Sequence, residues 1–142
     1  MVEEVVTSYS YTFTEKQFSA NGTKALGVLE WTLAGDGGYW SYEATKGQHL
    51  GSGSKPYKYL TLSTSDFKSE VNKIVLETSG GSSVNATCTI TVGGIQIGDA
   101  IKITSTSTVY PFEATTALKG DIVISYSQTS SKAIYIKKIE IN

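Results

Sequence analysis

Arginine is absent from this chain, cysteine and histidine occur once each, and proline occurs twice. Each scarcity removes a class of function. Without arginine, and with 12 lysines against 13 acids for a net charge of −1, no clustered cation is available to grip a phosphate backbone. That excludes a nucleic-acid partner. A single cysteine, Cys88, cannot close an internal disulfide, so the chain is not a disulfide scaffold, and the thiol is expected to behave as a small buried hydrophobe. No apolar run approaches the ~18 residues that mark a membrane-spanning helix. The opening Met-Val-Glu-Glu-Val-Val is neither basic nor apolar, so it does not read as a signal peptide. The expectation is either a mature fragment behind a start methionine or a virion component.

What is present is hydroxyl and aromatic. Serine and threonine number 18 each in 142 residues, with 14 glycines and 9 tyrosines. The length suits one domain with one core, spanning 1–142, with residues 1–7 expected as a disordered tail. Apolar residues recur with period two, and no helical period is sustained. The clearest strand is Val84–Val92, where Val84, Ala86, Cys88, Ile90 and Val92 share one face and Asn85, Thr87, Thr89 and Thr91 the other. Gly93-Gly94 then predicts a tight hairpin into Ile95-Gln-Ile97. Similar alternation marks Tyr9–Phe13, Leu29–Leu33, Tyr57–Ser63, Val71–Thr78, Ile101–Ile103, Tyr110–Phe112, Ile122–Tyr126 and Ile134–Ile141. Pro111 places Tyr110–Phe112 on an edge or at a bulge. The phase slips at Lys137-Lys138, which predicts a bulge, and these lysines with Lys132 are read as guards of an edge strand. Ser65–Glu70 is read as one helical turn capped by Ser65. Turns are expected at Gly35–Gly38, Gly51–Ser54, Ser79–Ser83 and Gly98-Asp99. Nine to eleven strands at regular spacing read as a sandwich or barrel.

From Tyr11 to Asn142 the chain resembles a β-sandwich domain that recurs in secreted and cell-surface proteins of gut bacteria. The resemblance is carried by Trp31-Thr-Leu33, Gly38-Tyr-Trp40, Thr45-Lys-Gly-Gln48, Gly51-Ser52, Lys55-Pro56, Leu60-Thr-Leu-Ser63, Lys73-Ile-Val75, Thr91-Val-Gly93, Ile122-Val-Ile-Ser-Tyr126 and Lys132-Ala-Ile-Tyr-Ile-Lys-Lys-Ile-Glu140. It implies a jelly roll of the carbohydrate-binding-module kind, held in multidomain proteins beside nuclease or glycan-processing modules. It implies no settled activity for the domain itself. The fold expected is therefore all-β, an antiparallel β-sandwich of the jelly-roll type.

Catalysis has little to work with. His49 is the sole imidazole and has no sequence partner that makes a triad, so it reads as a strand-end or loop residue. Gly51-Ser-Gly-Ser54 lacks the ending of a phosphate loop. Glu30, Asp36 and Glu43 are the acids nearest the aromatic segment for a two-carboxylate glycosidase. A structural Ca²⁺ would draw on acids in glycine turns, Asp36 or Asp99, without a confident ligand set. Binding has more. Five of the 15 aromatics fall within Gly38–Tyr59, namely Tyr39, Trp40, Tyr42, Tyr57 and Tyr59, with Lys46, Gln48, His49 and Lys55 among them. Aromatic faces offer an apolar platform and the polar side chains orient a ligand. Trp31 alternates with leucines and belongs to the core, whereas Trp40 suits either a platform or packing. The pair Tyr57/Tyr59 alternates against Leu60/Leu62, which places it on the face away from the core. The Thr87, Thr89 and Thr91 row reads as a soluble, β-prone surface.

The reading is a non-catalytic binding module outside the cell, at the surface as part of a larger secreted protein. Its ligand is a glycan or surface polymer, bound by Tyr39, Trp40, Tyr42, Gln48, His49, Lys55, Tyr57 and Tyr59. The alternative is a structural or adhesion module of a bacterial surface or phage particle, with a protein partner or self-association.

Overall fold

A computed structural model describes residues 6–142, so the tail expected over residues 1–7 falls mainly on 1–5, outside the described residues. Val6 itself packs on the core, and its carbonyl accepts a hydrogen bond from Ser69 Oγ.

Among the described residues twelve strands form two antiparallel six-stranded sheets, one more strand than the upper expectation. Sheet A runs β10(Thr108–Leu118), β7(Val71–Gly80), β12(Ile134–Ile141), β5(Gly47–Leu50), β4(Trp40–Glu43). Its sixth strand, β1(Tyr9–Thr12), pairs with the second half of β12, beside the stretch paired with β5. The first and last strands therefore pair, as expected for terminal segments of one domain. Sheet B runs β2(Gly22–Leu26), β3(Leu29–Gly35), β6(Tyr59–Thr64), β11(Ile122–Gln128), β8(Ala86–Val92), β9(Ile95–Lys102). The fold is a jelly-roll sandwich.

Alternation builds the core. Trp31, Leu33, Leu60, Leu62, Cys88, Ile90, Ile122 and Ile124 line the inner face of sheet B, and Ile74, Leu76, Ile134, Ile136, Ile139 and Ile141 that of sheet A. All are buried, and each such side chain contributes ~1.5–3 kcal/mol. Cys88 is sealed, and burial pushes its thiol up to about 12, so it is an inert filler. Most buried side-chain polar atoms find partners, with His49 Nε2 and Ser79 Oγ as exceptions. Trp31 Nε1 donates to Tyr9 Oη, which donates to the carbonyl of Leu26. Tyr126 on β11 meets Thr78 Oγ1 on β7 at 2.8 Å, a hydroxyl bridge from one sheet to the other. Thr78 also donates to the Tyr135 carbonyl.

Several expectations hold. Gly93 and Gly94 have φ of 59° and 83° and join Val92 to Ile95 in a tight hairpin. β10, with Pro111, is an edge. The β12 register shifts between Ile136 and Lys138. Others do not. Lys137 and Lys138 are on a central strand, not an edge, and face Glu77 and Glu140 at 3.8 and 2.6 Å. Gly98-Asp99 is a bulge inside β9 rather than a turn. Residues 65–70 form no helical turn. There the Asp66 carboxylate accepts the Glu30 backbone N–H at 2.9 Å, and Phe67 is buried. These anchors fix the segment as irregular chain, since a short stretch with one cap has too little helix energy of its own.

Thr78→Val keeps the side-chain shape but strips the Tyr126 hydroxyl of its cross-sheet partner. Loss of ~1–3 kcal/mol is expected in urea unfolding, with an unchanged far-ultraviolet spectrum.

Candidate functional site

The segment Gly38–Tyr59 is two connections side by side. The β3–β4 loop, residues 36–39, passes from sheet B to sheet A, and the β5–β6 loop, residues 51–58, returns. Backbone hydrogen bonds tie them: Gly38 N to Lys55 O, Gly51 N to Tyr39 O and Asp36 N to Tyr59 O. The segment that stood out in sequence is thus one structural unit, but its aromatics part company.

Tyr57 lies inside, fully buried. This corrects the expectation that Tyr57 and Tyr59 share an exposed face. The chain turns before β6 begins at Tyr59, so the alternation of the strand does not extend back to Tyr57. Its hydroxyl donates to Asn21 Oδ1 and accepts from Trp40 Nε1 at 2.7 Å, and burial raises its pKa. A Cβ on Gly37 would stand 2.2 Å from the Tyr57 ring, and one on Gly35 2.4 Å from the Tyr59 carbonyl oxygen. Both positions must be glycine for the loop to close over the ring.

Trp40 pairs in register with Leu50, so it faces the core side at the sheet edge, half-buried and held by Tyr57. Tyr42 pairs with Gln48 and is likewise half-buried against the core. Gln48 is buried, and its amide is spent. Oε1 accepts from the backbone of Gln17 and Phe18, and Nε2 donates to the carbonyls of Phe18 and Ser41. Tyr57 therefore braces the two loops from beneath, and Gln48 ties the β1–β2 connection to β4; both side chains are buried away from solvent.

Two surfaces remain. On the outer face of sheet A, His49 stands edge-on between Tyr39 and Tyr135, with ring centroids at 5.3 and 4.7 Å. Lys46 Nζ lies 4.9 Å from the Tyr135 ring centre. Tyr39 is 43% exposed. Tyr135 did not stand out in sequence, because β12 buries Ile134, Tyr135 and Ile136 in succession and hides the alternation.

On the outer face of sheet B, cross-strand partners build level rows in which threonine and serine predominate. One row runs Thr23, Thr32, Ser63, Val123, Thr91, Gln96 across all six strands. The next holds Ala34, Thr61, Ser125 and Thr89, and the third Tyr59, Ser127, Thr87 and Lys102. At the first row a groove of about 380 Å³ opens among Glu30, Thr32, Ser63, Asp66, Asp121 and Val123. At the third row stands Tyr59, 56% exposed. Asp36 fixes it from both sides: Oδ1 accepts Tyr59 N–H at 3.1 Å, and Asp36 N donates to the Tyr59 carbonyl. Lys55 is exposed in the β5–β6 loop, its stem against Gly38. Ser63 and Tyr59 are four residues apart on one strand, about 13 Å at ~3.3 Å per residue.

The acids considered for catalysis do not converge. Glu30 and Asp36 sit at opposite ends of β3, about 20 Å apart at ~3.3 Å per residue, and Glu43 is on the other sheet. Asp36 is engaged with Tyr59, and Asp99 is exposed in the β9 bulge. Among the described residues no group of three or more His, Cys, Asp or Glu side chains is placed to hold a metal ion.

No family model matches the sequence, and no curated protein matches it. Solved structures do. A variant of CBM29-2, a family 29 carbohydrate-binding module, superposes with a TM-score of 0.59 at 12% identity, covering 96% of this chain and 92% of that one. Another CBM29-2 variant, complexed with cellulohexaose, gives 0.57 at 12% identity, with the same coverage. CBM86, a low-affinity xylan-binding module from the gut symbiont Roseburia intestinalis, gives 0.52 at 10% identity over 96% of each chain. At these identities the likeness establishes a shared fold, the jelly-roll sandwich of carbohydrate-binding modules.

Gln48→Leu leaves the backbone N–H groups of Gln17 and Phe18 without their acceptor. Stability should fall by at least ~1–3 kcal/mol, the cost of one buried polar group left unpaired. Chemical denaturation of the folded variant reads this directly.

Proposed function

We propose that the domain is a non-catalytic glycan-binding module and that its binding surface is the outer face of sheet B. The observation that carries the reading is Tyr59. A large aromatic ring stands in solvent, held at its backbone by Asp36, on the same face as a hydroxyl-lined groove. Such a ring stacks on the apolar face of a sugar, while the Thr32 and Ser63 hydroxyls and the Glu30, Asp66 and Asp121 carboxylates take its hydroxyls. The short side chains between them leave room for an extended oligosaccharide to lie along the strands. The fold shared with a module complexed with cellulohexaose and with a xylan-binding module supports this class of ligand. Of the residues singled out in sequence, Tyr59 is the direct contact on this reading. Tyr39 and His49 lie on the other outer face, Lys55 stands exposed in the β5–β6 loop, and Trp40, Tyr42, Gln48 and Tyr57 are half-buried or buried behind the surface.

On this reading the domain works outside the cell. A single weak site holds an attached protein or surface near its polymer, and avidity supplies retention. Polysaccharide pull-down against plant, host and bacterial glycans, with and without Ca²⁺, tests it. Tyr59→Ala is expected to weaken retention at least ~5-fold, the loss of about 1 kcal/mol of stacking, while unfolding at the wild-type midpoint. Equal retention by Tyr59→Ala would remove the platform. A blank panel together with self-association in light scattering would favour the adhesion alternative.

A further inference from the structure

His49 is on β5, with its ring wedged between Tyr39 from the β3–β4 loop and Tyr135 from β12. Its Nε2 is sealed from solvent and has no hydrogen-bond partner. A neutral imidazole can leave one nitrogen bare. An imidazolium cannot, because both nitrogens then carry protons and the charge needs water or an acceptor. The titratable and charged groups around the ring are Tyr39, Tyr135, Glu43 on β4 and Lys46 in the β4–β5 turn. A backbone hydrogen bond at Gly51 and the Glu43 carboxylate favour the charged form, and Lys46 opposes it. Burial outweighs the rest and holds the imidazole below its usual pKa.

The neighbourhood is easily opened. β4 is a four-residue edge strand, and β5 is joined to β12 over only Ile134, Tyr135 and Ile136. Short edge elements open at a small fraction of the global free energy. Movement there has a route to the other sheet. The Tyr39 carbonyl accepts Gly51 N–H, and three residues back Asp36 clasps Tyr59.

We propose that His49 is a proton-operated latch on the β4–β5 hairpin. Neutral, it seats Tyr39 and closes the paired loops. Protonated, its ring must turn out to water, which releases Tyr39 and loosens the loop that holds Tyr59. Glycan affinity then falls in mildly acidic solution, a last step that rests on the function proposed above. The sign follows from linkage. Between the depressed folded pKa and the unfolded value of ~6.5, the unfolded chain holds more protons, so stability is lost as pH falls through that window and levels off below it.

The test is hydrogen exchange by nuclear magnetic resonance from pH 7.5 to 5, corrected for intrinsic rates, on the wild type, His49→Phe and His49→Gln. In the wild type the His49 ring signal should titrate below ~6.5, and opening of the β4–β5 amides should rise at least fivefold while β11 amides stay protected. His49→Phe keeps a ring without a titrating nitrogen and should be flat, and His49→Gln should be flat too if the phenylalanine fails to fold. Hairpin opening that ignores pH, or that follows pH equally in both variants, overturns the latch. Affinity for a glycan found at pH 7.5 should fall at least fivefold by pH 5 in the wild type alone. Constant affinity with an opening hairpin overturns the coupling to Tyr59. A hairpin that opens with His49, in a protein that binds no glycan at any pH, upholds the latch and removes the glycan reading instead.

Discussion

The burial of Tyr57 is the constraint on which the candidate surface depends. Its ring occupies the space that a side chain at position 37 would need, and its hydroxyl joins Trp40 on the edge of sheet A to Asn21 before β2 of sheet B. Gln128 Nε2 donates to its carbonyl from β11. One residue thus pins two crossover loops, an edge hairpin and the start of β6. Without that ring the loops of residues 36–39 and 51–58 would have no common floor, and Asp36 would have no fixed position from which to hold Tyr59. The cost of burying a phenol is met because both its hydrogen-bonding roles are filled.

From that point the two outer faces differ because their strands differ. Sheet B alternates in burial over β3, β6, β11 and β8, and most of its outward side chains are threonine or serine, joined by Glu30, Ala34, Tyr59 and Val123, so its outer face is level and largely polar. Sheet A carries a bulge in β12 and a run of three buried residues there. Its outer face is uneven, and it places Tyr135 beneath His49. A level floor of short hydroxyls suits an extended polymer, and the uneven face suits a clasp that moves.

Much of the fold was legible in the sequence, for a physical reason. Alternation is imposed by the pleat wherever one face is buried, so the strand read over Val84–Val92, which forms from Ala86, the Gly93-Gly94 hairpin and the phase slip at Lys137-Lys138 could be read directly. The candidate site was legible only as a segment. Alternation carries no information past the end of a strand, which is why Tyr57 was placed outside and is found inside. Gln48 resembles a ligand-facing amide in sequence, yet its partners are the backbone of Gln17 and Phe18, some thirty residues away. The rows on sheet B were invisible for the opposite reason. Thr32, Ser63 and Thr91 come from three distant strands, and only register brings them level. In sequence they were ordinary exposed hydroxyls.

The central claim is that the outer face of sheet B takes a glycan with Tyr59 as its ring. Amide chemical-shift mapping tests it most directly, with soluble oligosaccharides of cellulose, mannan and xylan titrated into labelled protein. The account predicts that at least one of them shifts Tyr59, Thr61, Ser63, Thr32 and Val123 together, in a saturable manner, and leaves the outer face of sheet A still. Saturable shifts confined to Tyr39, His49 and Tyr135, or no saturable shift with any glycan, would contradict it.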